Sequence, residues 1–181
     1  QAANARDLAD ASGADVRILN DSFAELARRD DLPEFDVIAL HGVWSWISPE
    51  NRAAVVDLVG RRLAVGGACY VSYNCPPGWS PGMPLRHLMT LHARLATGER
   101  AGIVPRIDGA IAFAQKVVDS NGQFFRVNPA LVERLKRIAA QDRRYLAHEF
   151  FNEHWHPMPF SELAEHLMRA RLDYGASAHL L

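Results

Sequence analysis

The sequence predicts an α/β fold, a doubly wound parallel sheet with an all-helical insertion. Two observations carry this prediction. Over residues 1–74, short apolar runs alternate with helical stretches, a pattern typical of parallel strands joined by helices. Over residues 75–150, helical stretches follow one another with no strand pattern between them. The chain of 181 residues is long enough to bury a proper core.

The first 74 residues supply the elements of the sheet in order. Ser12 and Gly13 end the first helix, and Ser48 caps a later helix that has proline at its first position. The run Phe35–Leu40 is almost entirely apolar, which predicts a strand buried on both faces. The predicted helices of this part cover residues 1–11, 23–29 and 49–63, and the predicted strands cover residues 16–19, 35–40 and 68–73.

The rest of the chain predicts an insertion followed by a return to the sheet. Ser161 caps the returning helix, and a last strand follows near the end. The predicted elements are helices over 84–97, 108–120, 129–151 and 162–171 and a strand over 174–181. The predicted domains are a partial core over 1–74, a helical insertion or lid over 75–150, and the return to the core over 151–181.

Composition and charge exclude several classes of function. The net charge of −1 gives no electrostatic case for nucleic acid or an anionic membrane as partner. No apolar run approaches the roughly 18 residues of a membrane span. The positions of Cys69 and Cys75 disfavour a disulfide, so we expect a reduced, cytoplasmic protein. Because the chain opens inside a helical pattern without a cap, we also expect it to be a piece of a longer protein.

Three segments would meet at the carboxyl edge of the predicted sheet, where open α/β sheets bind ligands. They are residues 20–22, residues 41–46 and residues 73–79. Together they supply a carboxylate, backbone amides, a histidine and three tryptophans. These groups suit a nucleoside, which needs an acid for its exocyclic amine and apolar walls for its base.

Sequence motifs in these segments carry a resemblance to a known family. The segments "VRILNDSFAEL" (16–26), "HGVWSW" (41–46), "SYNCPPGW" (72–79) and "YLAHEFFNEHWHPMPFSEL" (145–163) resemble class I S-adenosylmethionine-dependent methyltransferases. More narrowly, they are similar to the bacterial group with a methyltransferase regulatory domain. The resemblance implies a Rossmann-like core, S-adenosyl-L-methionine as cofactor, and a small-molecule or protein methyl acceptor. The glycine-rich loop of that family is absent from this sequence.

The resemblance also implies roles for the cofactor-binding residues. Asp21 stands where the family places an acid that accepts a hydrogen bond from the adenine amino group. The amides of Ser22 and Phe23 would face the adenine ring nitrogen. His41 and Gly42 stand in the segment that runs past the methionine part of the cofactor toward the acceptor.

Two of these residues have alternative roles. Asp21 follows a predicted strand, a position where aspartate commonly caps a helix. His41 is a candidate general base because imidazole titrates near neutral pH. It is equally a candidate for a hydrogen-bonded core histidine at the end of a strand. Methyl transfer to a good nucleophile often requires only alignment, so the reaction does not depend on a general base.

The predicted substrate-binding residues are aromatic or amide side chains on the acceptor side. Trp44 and Trp46 alternate along a segment expected to be extended, and they either wall a pocket or pack against the following helix. Tyr73 and Asn74 are expected at the mouth of the pocket. Trp79 either closes the acceptor side or anchors the proline-rich turn before it.

No metal site is expected in the segment "HEFFNEHWH" (148–156). A zinc-protease helix needs histidines four residues apart, and the fourth residue after His148 is Asn152. The segment is expected to form part of a lid or the end of the insertion.

Two functions of different class follow from the sequence. The first is a methyltransferase that transfers a methyl group to an unidentified acceptor. The alternative is a non-catalytic methyltransferase-like module that recruits a protein partner.

Overall fold

The computed structural model describes residues 2–96, 98 and 101–178. The chain divides into two compact units, unit 1 (Gln1–Ser72 and Ser161–Leu181) and unit 2 (Tyr73–Phe160). The boundaries predicted from the sequence were residues 75 and 150. Unit 2 therefore begins slightly before the predicted insertion and extends beyond its predicted end.

Short helices account for most of the regular structure. Two 3₁₀ turns, Trp44–Trp46 and Ser80–Gly82, accompany them. The strands are β1 (Phe35–Leu40) and β2 (Leu63–Val71), and the helices are α1 (Ala2–Ser12), α2 (Phe23–Arg28), α3 (Pro49–Arg62), α4 (Met83–Leu95), α5 (Ile103–Asp119), α6 (Gln123–Val127), α7 (Pro129–Ala139), α8 (Arg143–Glu149) and α9 (Phe160–Met168).

The sheet of unit 1 is small and parallel. β1 and β2 pair in parallel, with Leu40 beside Val71, and the amide of Ser72 extends the ladder by donating to the carbonyl of Leu40 at 3.0 Å. The pairing is irregular between Phe35 and Val37. The α/β class is confirmed, but within the described residues the sheet has two strands and does not form the full doubly wound core.

The predicted strand over residues 16–19 is wrong, since these described residues form no strand. The carbonyl of Ile18 accepts a hydrogen bond from the Arg6 guanidinium at 3.4 Å, and the described residues place no neighbouring strand beside it. An apolar run becomes a strand only where a partner completes its ladder. In the predicted last strand, residues 174–178 are also not a strand, and residues 179–181 lie outside the described residues.

The expectation that β1 is buried on both faces is also wrong. Val37 is 62% exposed, and burial alternates along the strand without reaching full burial at any position. A strand is buried on both faces only where neighbouring elements cover both sides of the sheet. Among the described residues, the elements around β1 cover its side chains only in part.

The core of unit 1 is formed by α3 together with α2, the tryptophan turn and α9. Trp44 is fully buried, its carbonyl accepts a hydrogen bond from Arg52 Nε at 3.2 Å, and its ring meets the edge of His166 at 5.6 Å between centroids. The buried apolar residues of α3 and α9 are Val55, Val56, Val59 and Leu163. Ser48 caps α3 as predicted, because its hydroxyl oxygen accepts from the amide of Asn51 at 3.3 Å.

Unit 2 is built from helices, and its described residues include no strand. The predicted single helix over 129–151 is wrong, because α7 ends at Ala139 and α8 begins at Arg143. Asp142 starts the new helix by accepting hydrogen bonds from the amides of Arg144 and Tyr145. The fully buried large side chains of unit 2 include Leu85, Met89, Ile107, Leu135, Leu146 and Met158.

Candidate functional site

The carboxyl ends of β1 and β2 form a linked polar edge in unit 1. The amide of Gly42 donates to Ser72 Oγ at 2.7 Å, and His41 Nδ1 lies 3.4 Å from the same oxygen. The His41 ring also stacks on Tyr70, with centroids 6.3 Å apart. Because the strands are parallel neighbours, residues that follow Leu40 and Val71 meet here.

The backbone of this edge depends on glycine. Gly42 has a φ of +64°, a conformation that side chains with a Cβ disfavour. The turn leaves the His41 side chain exposed, so the imidazole is accessible to a ligand. The edge therefore offers an exposed imidazole, a fixed backbone turn and one hydroxyl group to a molecule bound there.

Asp21 lies in an ion-pair network near α2. Asp21 Oδ2 accepts a hydrogen bond from Arg29 Nη1 at 2.8 Å, and its side chain is 24% exposed. The same guanidinium holds both oxygens of Asp31 at 2.8 Å. The hydrogen bonds from Arg29, and then from Arg17, hold the pKa of the Asp31 carboxyl well below its usual range. Asp21 is thus an acceptor held in place by Arg29 beside the start of α2.

Ser22, and not Asp21, is the N-cap of α2. Ser22 Oγ accepts from the amide of Glu25 at 3.2 Å, and the Glu25 carboxylate accepts from the amide of Ser22 at 2.8 Å. This is a capping box, so the alternative role of Asp21 as a cap is wrong. The Ser22 amide is already hydrogen-bonded, and a ligand nitrogen would have to share it with Glu25. Phe23, the first residue of α2, is half-buried.

The two tryptophans of the turn after β1 differ in exposure. The turn is 3₁₀ and not extended as expected, because the amide of Trp46 donates to the carbonyl of Val43 at 2.9 Å. Trp44 is fully buried in unit 1 and Trp46 is half-buried. Burial favours packing as the role of Trp44, whereas Trp46 keeps accessible surface for a ligand.

The other predicted substrate residues lie in unit 2. Burial, and then a hydrogen bond with Cys75, raises the pKa of Tyr73 to about 12. The carbonyl of Asn74 accepts from the amide of Met158 at 3.2 Å. Trp79 meets the ring of Trp155 at 5.3 Å between centroids. The contact between the rings of Trp79 and Trp155 supports the role of Trp79 as an anchor of the turn.

Sequence reasoning missed Ser72 as a residue of the polar edge. It named Tyr73 and Asn74, which follow directly, but Ser72 supplies the oxygen that joins the two strand ends. No local signal marked Ser72, because the predicted strand over residues 68–73 includes it, whereas β2 ends at Val71. Among residues 2–96, 98 and 101–178, no cluster of three or more His, Cys, Asp or Glu side chains could hold a metal ion. None of the helices in the same residues is long and apolar enough to cross a membrane.

Replacing Ser72 with alanine is expected to loosen the turn at Gly42. Loss of the acceptor removes one hydrogen bond, which contributes about 0.5–1.5 kcal/mol to stability. Amide hydrogen exchange should show faster exchange at Gly42 in Ser72→Ala. Ser72→Thr, which keeps the hydroxyl oxygen, should retain the protection. Equal protection of Gly42 in the alanine variant and the unmodified protein would show that this bond does not hold the turn.

The fold of the chain is similar to that of two solved structures of one protein. The structure of PKMT2 from Rickettsia typhi is 25% identical, with a TM-score of 0.60, over 82% of this chain and 27% of that chain. The structure of the same protein in complex with AdoHcy gives a TM-score of 0.69 at 23% identity, over 94% of this chain and 32% of that chain.

Sequence relatives and a family model give the more particular assignment. Residues 142–181 match the family described as a predicted methyltransferase regulatory domain. An uncharacterized protein of Synechocystis sp., sll1526, is 42% identical over 178 residues, 98% of this chain and 34% of its own length. An uncharacterized protein of Rickettsia prowazekii, RP789, is 28% identical over 83% of this chain and 27% of its own length.

These matches confirm the resemblance of the sequence motifs to bacterial methyltransferase-like proteins with a methyltransferase regulatory domain, and the family model itself covers residues 142–181. The chain spans about a third of the length of the Synechocystis relative.

Proposed function

We propose that the protein takes part in S-adenosylmethionine-dependent methyl transfer. A nucleophilic acceptor would attack the sulfonium methyl group, and S-adenosylhomocysteine would leave. The observation that carries the proposal is the polar edge at Gly42 and Ser72, in a fold similar to that of PKMT2 in complex with AdoHcy. The acceptor is a small molecule or a protein. The free thiols of Cys69 and Cys75 support a cytoplasmic location.

The cofactor residues of this proposal lie in unit 1. Asp21 accepts from the adenine amino group, since a carboxylate offers about four lone-pair sites and the ion pair with Arg29 leaves some of them available. The amides of Ser22 and Phe23 face the adenine ring. The turn at His41 and Gly42 contacts the methionine part of the cofactor, and His41 is the candidate base if the acceptor carries a proton.

The resemblance implies four candidate substrate residues. Trp46 lies in unit 1, and Tyr73, Asn74 and Trp79 lie in unit 2. The Tyr73 phenol is protonated at neutral pH, as is usual for tyrosine, and its raised pKa acts in the same direction. It therefore serves as a hydrogen-bond donor or acceptor and not as a base.

Replacing Asp21 with alanine tests the cofactor site. We expect S-adenosylhomocysteine to bind about tenfold more weakly or worse, because a charge-assisted hydrogen bond to the adenine amine is lost. The measurement is calorimetric titration of S-adenosylhomocysteine into the protein at its full natural length. The matched control is Asp31→Ala, which also removes a carboxylate partner of Arg29 but no predicted cofactor ligand.

The two variants separate a binding effect from a loss of local structure. Weakened binding in Asp21→Ala with unchanged binding in Asp31→Ala supports the proposal. Equal weakening in both variants would show that the Arg29 network, and not a contact with adenine, determines affinity. Absence of binding by the folded, unmodified protein would overturn the proposed methyl transfer.

A second candidate function is a regulatory module that recruits a protein partner. The match of residues 142–181 to a family described as a predicted regulatory domain favours it. This function does not require cofactor binding, so the titration distinguishes the two candidates.

A further inference from the structure

Unit 2 contains a cavity of about 430 Å³ at the start of α4. Met83, Pro84, Arg86, His87 and Trp155 line it. Its volume lies within the range of about 300–1,000 Å³ that is usual for small-molecule sites. Most of these lining residues are apolar or aromatic, and Arg86 brings a formal positive charge.

Arg86 is an unusual group to find in such a wall. The residue is 9% exposed, and its Cζ lies 4.0 Å from the centre of the Trp155 ring. One Nη2 hydrogen bond goes to the carbonyl of Asn152 at 3.2 Å. Among the described residues no carboxylate pairs with Arg86, and its buried Nε has no acceptor.

The indole nitrogen of Trp155, Nε1, is likewise a buried donor without a hydrogen-bond partner among the described residues. Two residues of one cavity therefore each carry a buried N–H group without a partner. Leaving such donors unpaired is costly, so this wall of the cavity is short of hydrogen-bond acceptors.

The buried charge of Arg86 also requires a partner, in this case an anion. Burial lowers the pKa of Arg86 to about 10, and the guanidinium is still charged at neutral pH. A buried cation without a counter-ion is strongly disfavoured. Stacking on Trp155 occupies the face of the guanidinium and leaves its in-plane donors for an anion.

We propose that this cavity binds the carboxylate of a small organic acid, with Arg86 as the charge partner and the ring of Trp155 as part of the wall. A single guanidinium balances the single charge of a carboxylate, and Arg–carboxylate pairs have well-matched geometry. Met83, Pro84 and the Trp155 ring contact the hydrocarbon part of the acid. The proposal does not depend on methyl transfer, since none of the proposed cofactor residues lines this cavity.

The test uses benzoate as the probe and benzamide, its neutral analogue, as the control. Benzoate is titrated into the ¹⁵N-labelled protein while the indole N–H signals are recorded, and Trp155→Phe identifies the signal of Trp155. We expect a saturable shift of that signal with benzoate and at least about tenfold weaker binding of benzamide, because only benzoate pairs with the charge.

Two variants locate the charge partner. Arg86→Gln should weaken benzoate binding about tenfold or more. Arg134→Gln is the matched control, because Arg134 also stacks on a tryptophan, Trp79, at 4.8 Å but does not line the cavity. Circular dichroism checks the fold of each variant. Arg86→Met, which keeps a long apolar side chain but removes the charge, replaces Arg86→Gln if the latter does not fold, with the same weakening expected.

Several results would overturn the proposal. They are the absence of a shift with benzoate in the unmodified protein, equal affinities for benzoate and benzamide, and unchanged affinity in a folded Arg86 variant. Tighter binding of inorganic phosphate than of benzoate would also overturn it, since the site would then recognise a different anion. None of these measurements uses S-adenosylhomocysteine, so they leave the test of methyl transfer unaffected.

Discussion

Replacing Trp44 with alanine is expected to lower the free energy of unfolding of unit 1 by about 3–5 kcal/mol, the usual cost of removing a buried aromatic side chain. Trp44 is fully buried, packs against the edge of His166, and lies in the turn whose carbonyl is held by Arg52. Its removal leaves a cavity that the 3₁₀ turn and α9 can fill only in part.

Urea denaturation followed by far-ultraviolet circular dichroism measures this loss. Trp46→Ala is the matched control, because Trp46 belongs to the same turn but is half-buried, and a smaller loss is expected. A loss below about 1 kcal/mol for Trp44→Ala would show that the indole is not a core residue. The role of Trp44 as a wall of a ligand pocket would then regain support.

Replacing Leu135 with alanine is expected to lower the stability of unit 2 by about 2–5 kcal/mol. Leu135 is fully buried on α7, in a core cluster that also contains Met89 of α4, Ile107 of α5 and Leu146 of α8. Since several helices contact this cluster, the cavity should weaken all of them together.

Native-state hydrogen exchange measures this effect in each unit separately. Leu135→Ala should accelerate exchange in α5 and α7, whereas Trp44→Ala should accelerate it in β1 and α3. Val132→Ala is the control for Leu135, because Val132 lies on the same helix and is only partly buried. Equal acceleration in both units by either variant would show that the chain unfolds as a single cooperative body and not as two.

The sequence predicted elements well where local signals decide the structure. The apolar run Phe35–Leu40 and the Ser48 cap with Pro49 mark β1 and the start of α3 at the positions observed. Prediction failed for residues 16–19 because a strand needs a partner strand from elsewhere in the chain. These residues have strand composition but no neighbouring strand in the described chain. The break between α7 and α8 was missed for a different reason, since Asp142 caps a new helix inside a segment whose helical pattern continues.

In the candidate site, too, residues marked by local sequence signals were predicted, and residues placed by contacts between distant parts of the chain were not. Position after a strand was enough to predict His41 and Gly42 at the edge of the sheet. The hydroxyl that fixes this edge comes from Ser72, thirty residues away along the chain, and no local pattern announces that contact. Arg86 was missed for a similar reason, since arginine in a helix is normally solvated and its burial results from packing against Trp155.

The backbone bond between Asn74 and Met158 brings the beginning and the end of unit 2 to within 3.2 Å of each other. A segment whose ends already touch can be lengthened, shortened or exchanged without moving its points of attachment. A linker of about two residues would span the gap. The junction between Asn74 and Met158 therefore offers protein engineers a place to graft another helical segment.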